Sequence, residues 1–133
     1  VNLYIWGVLP PPVQNGTVWT NRVVGGMSVG IAVAPDALYA GGLKGTVSAV
    51  DAESGEKIWG TNVGSQVTST PTVAGNTVLV GTKDGRVVGL NRGSGEIIWE
   101  FQTGDKVTAS PVVAENTLFV ASRDGSLYAV EAR

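Results

Sequence analysis

The stretches GTVSAVDAESGEKIW (residues 45–59) and GRVVGLNRGSGEIIW (residues 85–99) match in register and decide the fold. The tryptophans that end them, together with Trp19, stand at a constant spacing of 40 residues. A third copy, VTASPVVAENTLFVASRDG at residues 107–125, matches VTSTPTVAGNTVLVGTKDG at residues 67–85. Self-similarity at a fixed period of this size is typical of repeat architectures.

Each copy has the pattern of four short β-strands joined by tight turns. In the second copy the predicted strands are residues 67–73, 77–82, 86–90 and 96–102, with glycine-containing turns between them. Loops this short make every strand antiparallel to the previous one. The result is a four-stranded meander of about 40 residues, the size of a β-propeller blade. The sequence therefore predicts an all-β chain with three blades' worth of strands.

The repeat also predicts the organisation of the whole chain. We expect an apolar leader or linker that ends in prolines, followed by propeller repeats over residues 16–133. The predicted segments are residues 1–15 (leader), 16–26 (a lone fourth strand), 27–66 (a blade), 67–106 (a blade) and 107–133 (three strands of a blade).

Three blades are too few for an ordinary ring, because closed propellers typically have about four to eight. The first hypothesis is that these residues belong to a longer propeller. The second is a six-bladed ring of two chains, in which each chain lends residues 17–22 to the other's last blade. GTVWTNR at residues 16–22 aligns with the fourth strand of later copies, although its Gly-to-Trp spacing is one residue shorter. The complementary ends favour the second hypothesis.

The composition excludes several kinds of chemistry. The 133 residues include no Cys and no His, which excludes disulfides, thiolate or imidazole metal sites, and Ser-His or Cys-His nucleophiles. A net charge of −2 gives no sign of a nucleic acid partner. No apolar run reaches the roughly 20 residues of a membrane span. These exclusions agree with the prediction, developed below from a family resemblance, of a protein that is not an enzyme and that has no cofactor.

The pattern A-x-D-x-x-x-G-x-x-x-W at residues 49–59 resembles the tryptophan-docking motif of the pyrroloquinoline-quinone-type, or quinoprotein-like, β-propeller repeat family. Because Asp51 is replaced by Asn91 and Glu131 in the later copies, we expect different side-chain hydrogen bonds at this turn. The resemblance implies structural docking roles for Trp19, Ala49, Asp51, Gly55, Trp59, Gly95 and Trp99.

The family contains quinone-dependent dehydrogenases and cofactor-free relatives that act as binding scaffolds. Among the latter is the lipoprotein of the bacterial outer-membrane β-barrel assembly machinery. Family dehydrogenases hold the quinone over vicinal cysteines, with a calcium ion and a catalytic Asp, and this chain has no Cys. The resemblance thus implies a protein-interaction scaffold in the periplasm or cell envelope, with other protein chains as partners. The alternatives are a dehydrogenase fragment whose cofactor site lies outside this chain, and a self-assembling repeat protein.

Charged loops are the candidates for partner binding. Antiparallel order sends the loops between second and third strands to the same rim as the loops between blades. The candidate residues on this rim are Lys44, Lys83, Asp84, Asp105, Lys106, Arg123 and Asp124. Neither aspartate-glycine turn supplies the alternating oxygen ligands of a calcium loop, so we predict turns and no metal site.

Overall fold

The computed structural model describes residues 26–131, which form eleven β-strands and no helix. The strands are β1 (Met27–Val33), β2 (Ala37–Gly42), β3 (Thr46–Asp51), β4 (Lys57–Asn62), β5 (Thr72–Ala74), β6 (Thr77–Gly81), β7 (Arg86–Asn91), β8 (Ile97–Gln102), β9 (Val112–Ala114), β10 (Thr117–Ala121) and β11 (Leu127–Glu131). The predicted leader, Trp19 and the predicted strand at residues 16–22 lie outside the described residues.

The strands form three antiparallel meanders, which confirms the all-β prediction of propeller blades. Sheet 1 has the order β1-β2-β3-β4, and sheet 2 has the order β5-β6-β7-β8. Sheet 3 has the order β9-β10-β11 in the described part of the chain. Corresponding strands of sheets 1 and 2 have the same register, since Ala49 pairs with Trp59 and Gly89 pairs with Trp99. The strand pairing of sheets 1 and 2 thus repeats with the same 40-residue period as the sequence.

The sheets pack face to face, and sheet 2 lies in the middle. Successive side chains of a strand point to opposite faces, yet Val78, Leu79 and Val80 are all buried. Val78 and Val80 pack against sheet 1 in the first core, which includes Val47. Leu79 packs against sheet 3 in the second core. Burial on both faces explains why this strand has a run of apolar residues instead of clean alternation.

The first strand of sheet 2 is shorter than predicted. The expected strand at residues 67–73 is reduced to β5, three residues long, with one isolated bridge from Val67 to Thr82. Pro71 has no N–H to donate to a ladder. Upstream of it, Ser69 Oγ accepts a hydrogen bond of 2.7 Å from the backbone N–H of Gly81. A side chain therefore replaces part of the backbone pairing that the pattern predicted.

Candidate protein-binding rim

The tryptophan of β4 ties sheet 1 to sheet 2. Trp59 is buried, and its indole Nε1 donates a hydrogen bond of 2.7 Å to the carbonyl oxygen of Arg92. Beside it, Thr61 Oγ1 donates to the carbonyl oxygen of Gly95 at 2.5 Å. A Cβ at Gly95 would lie only 2.5 Å from the indole ring. The absence of a side chain at Gly95 thus lets the ring lie directly against the turn.

The expected difference between the Asp51 and Asn91 turns is wrong. Asp51 Oδ1 accepts hydrogen bonds from the N–H groups two and three residues later, at 2.8 and 2.9 Å. Asn91 Oδ1 accepts the same two bonds at 2.8 and 3.1 Å. The turn needs only an oxygen acceptor at this position, and both side chains supply one. The substitution removes a charge and keeps the geometry.

The loops that carry the candidate residues meet at one rim of the stack. The N–H of Lys83 donates to the carbonyl oxygen of Gln66 at 2.9 Å, which joins the β6–β7 loop to the loop between sheets 1 and 2. The N–H of Arg123 donates in the same way to the carbonyl oxygen of Lys106. All seven candidates are exposed there: Lys44, Lys83, Asp84, Asp105, Lys106, Arg123 and Asp124.

An ion-pair cluster braces the middle of this rim. Arg86 contacts Asp84 at 3.0 Å and Glu100 at 2.9 Å, and it donates a 2.6 Å hydrogen bond to the carbonyl oxygen of Val63. Burial works to raise the pKa of Asp84, but the hydrogen bonds from Thr82 and Arg86 outweigh it and lower that pKa. The Asp84 carboxylate therefore stays ionised, and its hydrogen bonds with Thr82 and Arg86 stabilise the β6–β7 loop.

A second brace holds the rim of sheet 3. The hydroxyl of Tyr128 donates to Asp124 Oδ2, which also accepts the N–H of Gly104 at 2.9 Å. The N–H of Ser126 donates to the other carboxylate oxygen at 2.8 Å. The Tyr128 hydrogen bond is the largest influence on the Asp124 carboxyl, and its pKa falls from 3.8 to about 2. This carboxylate thus joins its own β10–β11 loop to the β8–β9 loop and to strand β11.

We predict that Tyr128→Phe raises the pKa of Asp124 towards 3.8, because the largest stabilising hydrogen bond to the carboxylate is lost. A lowered folded-state pKa stabilises the fold above the unfolded value and loses that effect as the pH falls through about 2. The stability difference between the two proteins should therefore be full above pH ~4 and shrink below it. Carboxyl-carbon NMR titration and urea unfolding between pH 2 and 7 measure both; an unchanged pKa contradicts the prediction.

The braces engage the carboxylates of the rim more than its candidate cations. Two of its three candidate carboxylates, Asp84 and Asp124, hold structural hydrogen bonds within the rim. The candidate cations are exposed as the carboxylates are, but neither ion pair found within residues 26–131 involves them: Lys44, Lys83, Lys106 and Arg123. Leu43, which is also exposed, adds an apolar contact beside Lys44. Such a surface can receive an acidic segment of a protein through charge and one apolar side chain.

Sequence reasoning missed the two residues that brace this rim, Arg86 and Tyr128. The sequence spacing could have indicated both. Arg86 lies on a strand two residues after Asp84, and Tyr128 lies on a strand four residues after Asp124, the aspartate that each contacts. Residues 26–131 contain no group of three or more side chains placed to bind a metal ion. None of the elements in that range is a helix with the length and apolarity needed to cross a bilayer.

Comparison with known proteins places this architecture in a family. The family described as outer membrane protein assembly factor BamB matches residues 12–133. The chain belongs to this family. No curated protein matches the chain.

Solved structures share the BamB-type fold at low sequence identity. BamB from Moraxella catarrhalis superposes with a TM-score of 0.76 at 23% identity, over 86% of this chain and 36% of that protein. The computationally designed Ika4 protein gives 0.70 at 18% identity, over 77% of this chain and 64% of Ika4. Quinohemoprotein alcohol dehydrogenase ADHIIG from Pseudomonas putida HK5 gives 0.63 at 20% identity, over 71% and 20%. The chain thus spans about a third of the Moraxella protein.

Proposed function

We propose that this BamB-family chain is a non-enzymatic protein-interaction scaffold of an extracytoplasmic, membrane-associated assembly. The observation that carries the proposal is the cross-braced rim with its exposed cations. Loops on a rigid sheet framework are suited to binding, since the partner does not have to order them. Family membership supports the envelope setting and a role in outer membrane protein assembly.

The rim also suggests the chemistry of its partner. Lys83, Lys106 and Arg123 lie on three loops. The N–H of Arg123 donates to the carbonyl oxygen of Lys106, and the N–H of Val107 donates at 3.1 Å to the carbonyl oxygen of Thr82, so the three loops are joined by backbone hydrogen bonds. Their charges are exposed and outside the ion-pair cluster, in which Asp84 and Glu100 share Arg86 at 3.0 and 2.9 Å. We infer that the partner presents an acidic segment, and that binding weakens as salt screens these charges.

The test uses the solubilised β-barrel assembly complex purified without its own propeller lipoprotein. We predict that the 133-residue chain binds it, and that Lys83→Glu combined with Arg123→Glu weakens binding about tenfold or more, since reversed rim charges repel an acidic partner. Biolayer interferometry at low and high salt measures the affinity and its screening.

The matched control reverses two cations at the opposite rim, Lys57→Glu with Arg92→Glu. This pair makes the same change in net charge but lies at the turns that begin the fourth strands of sheets 1 and 2. Unchanged affinity in the control and a loss in the rim variant support the proposal. Equal losses, or no binding by the unaltered chain, overturn it.

The alternative function is a fragment of a quinone-dependent dehydrogenase. Its support is the shared fold with the quinohemoprotein alcohol dehydrogenase, at a TM-score of 0.63. Dye reduction by the purified chain with added pyrroloquinoline quinone, calcium and an alcohol would favour this alternative. Absence of dye reduction, together with binding to the assembly complex, favours the scaffold.

A further inference from the structure

Arg86 is mostly buried, although the candidate charges of the rim around it are exposed. Its side chain is 17% exposed, and it directly follows the β6–β7 tip, which we define as residues 82–85 and which carries Lys83. An arginine keeps its charge in a protein, so a buried guanidinium needs hydrogen-bond partners. The partners of Arg86 therefore show what it does at this position of the rim.

The guanidinium of Arg86 joins three segments of the chain. Its Nε lies 3.1 and 3.0 Å from the two carboxylate oxygens of Asp84, in the β6–β7 tip, and donates to them. Its Nη1 donates to Glu100 of β8 at 2.9 Å, and its Nη2 donates to the carbonyl oxygen of Val63 at 2.6 Å. Val63 belongs to the loop between sheets 1 and 2. A planar group with fixed donor directions thus sets the position of the tip relative to both neighbours.

The backbone of the tip contacts the same loop. The N–H of Lys83 donates to the carbonyl oxygen of Gln66 at 2.9 Å. The N–H of Asp84 donates to Ser65 Oγ at 3.2 Å. The bond from Arg86 to this loop is shorter than either of them and has a charged donor, which makes it the strongest of the three. Arg86 therefore contributes most to joining the tip that carries Lys83 to the loop beside it.

The equivalent tips of sheets 1 and 3 have no arginine at this position. Arg86 corresponds to Thr46 forty residues earlier and to Ser126 forty residues later. Sheet 3 holds its equivalent aspartate, Asp124, with Tyr128 instead. All three tips keep the same turn, in which the glycine N–H donates to the carbonyl oxygen three residues earlier at 3.1 to 3.2 Å. The turn therefore forms without an arginine, and the presence of Arg86 needs another explanation.

We propose that Arg86 is a positioning residue of the binding surface, which holds the β6–β7 tip so that Lys83 is presented to the acidic segment of the partner. The inference rests on the proposed function and deepens it, since it assigns part of the affinity to a mostly buried residue. A tip that is already ordered loses less conformational entropy on binding than one that the partner has to order. Arg86 thus acts through Lys83, and its effect depends on the geometry of its hydrogen bonds and not on its charge alone.

The first test is amide hydrogen exchange, which needs no partner. Arg86→Lys keeps the charge but replaces the planar fork by a single ammonium group, which cannot make all three contacts at once. We expect the N–H groups of Lys83 and Asp84 to exchange about tenfold faster in this variant, because the tip opens more often. The N–H of Arg123, in the tip of sheet 3, should keep its rate. Equal acceleration at both tips, or none at Lys83, overturns the proposal.

Tyr128→Phe is the matched control for the exchange measurement, because it loosens the other tip. It should accelerate exchange of the Gly104 N–H, which donates to Asp124 at 2.9 Å, and leave the N–H of Lys83 unchanged. If Tyr128→Phe accelerates exchange at Lys83 as much as Arg86→Lys does, the tips are not held separately and the proposal is wrong.

The second test measures binding to the solubilised β-barrel assembly complex purified without its own propeller lipoprotein. We expect Arg86→Lys to weaken binding about three- to tenfold at unchanged net charge, because the partner then has to order the tip. Arg86→Thr introduces the residue that sheet 1 has at this position, and it should weaken binding at least as much. If Arg86→Lys binds like the unaltered chain, whether or not it lowers the free energy of unfolding, Arg86 has no positioning role.

A double-mutant cycle shows whether Arg86 acts through Lys83. Lys83→Ala should weaken binding less in the Arg86→Lys chain than in the unaltered chain, because the lysine is no longer presented there. Arg123→Ala is the matched control: Tyr128 holds its tip, so its effect should be the same in both chains. Equal behaviour of Lys83 and Arg123 contradicts the inference and leaves the proposed function standing. Absence of binding by the unaltered chain overturns the proposed function and this inference with it.

Discussion

Gly95→Ala is expected to destabilise the fold by roughly 2 to 5 kcal/mol, from the strain of the left-handed backbone and an overpacked contact. Gly95 has a φ of +79°, and an added Cβ would lie 2.5 Å from the Trp59 ring and 2.8 Å from Thr61 Oγ1. The ring cannot withdraw without breaking its 2.7 Å hydrogen bond to the carbonyl oxygen of Arg92. Urea unfolding followed by circular dichroism measures the change in the free energy of unfolding.

Two other glycines separate backbone strain from contact with Trp59. Gly75 has a φ of +58° and Gly125 a φ of +92°, so they bracket Gly95, and neither has an atom within 4 Å of a built Cβ. Gly75→Ala and Gly125→Ala should therefore cost only the strain, about 1 to 2 kcal/mol. If Gly95→Ala lowers the free energy of unfolding by no more than Gly75→Ala and Gly125→Ala do, the contact between Gly95 and Trp59 does not hold the sheets together.

The sheet architecture could be predicted because its signals are local and repeated. Alternating valines, glycine turns and a constant 40-residue spacing all point to the same meander. The exchange of Asp51 for Asn91 misled the prediction, since sequence shows the change of charge and not the shared oxygen acceptor. The shortened β5 was missed because the competing Ser69 hydrogen bond depends on the position of Gly81 in three dimensions.

Loop order in the sequence predicts where the candidate residues lie, but it does not predict which of their charges are engaged within the rim. Loop order alone is enough to bring Lys83 and Arg123 to one end of the sheets. Which carboxylates remain available to a partner depends on side-chain geometry, as with Asp84 beside Arg86 at 3.0 Å. A spacing of two residues on a strand permits such a contact, but many pairs with this spacing make none.

The inner strands suggest a second large effect, at the contact between Gly41 and Val67. A Cβ at Gly41 would lie 2.4 Å from Val67 Cγ1 and 2.9 Å from its Cβ. One repeat later, Gly81 and Val107 have the same relation, at 2.5 and 2.9 Å. Both valines are fully buried. The recurrence indicates that, at both of these junctions between sheets, a glycine leaves the space that a branched valine side chain fills.

Gly41→Ala should destabilise the fold by roughly 1 to 3 kcal/mol through overpacking, and Val67→Ala by a similar ~1 to 3 kcal/mol through lost burial and a cavity. Combined, they should cost less than their sum by about 1 to 2 kcal/mol, because the new methyl group enters the space that the valine leaves. Urea unfolding of the four proteins at one protein concentration measures this coupling. Gly41→Ala with Val107→Ala is the control: these sites lie at different junctions, so their costs should add. Additivity in the Gly41 and Val67 pair as well would show that the sheets adjust their spacing freely, and that the junction is not set by this contact.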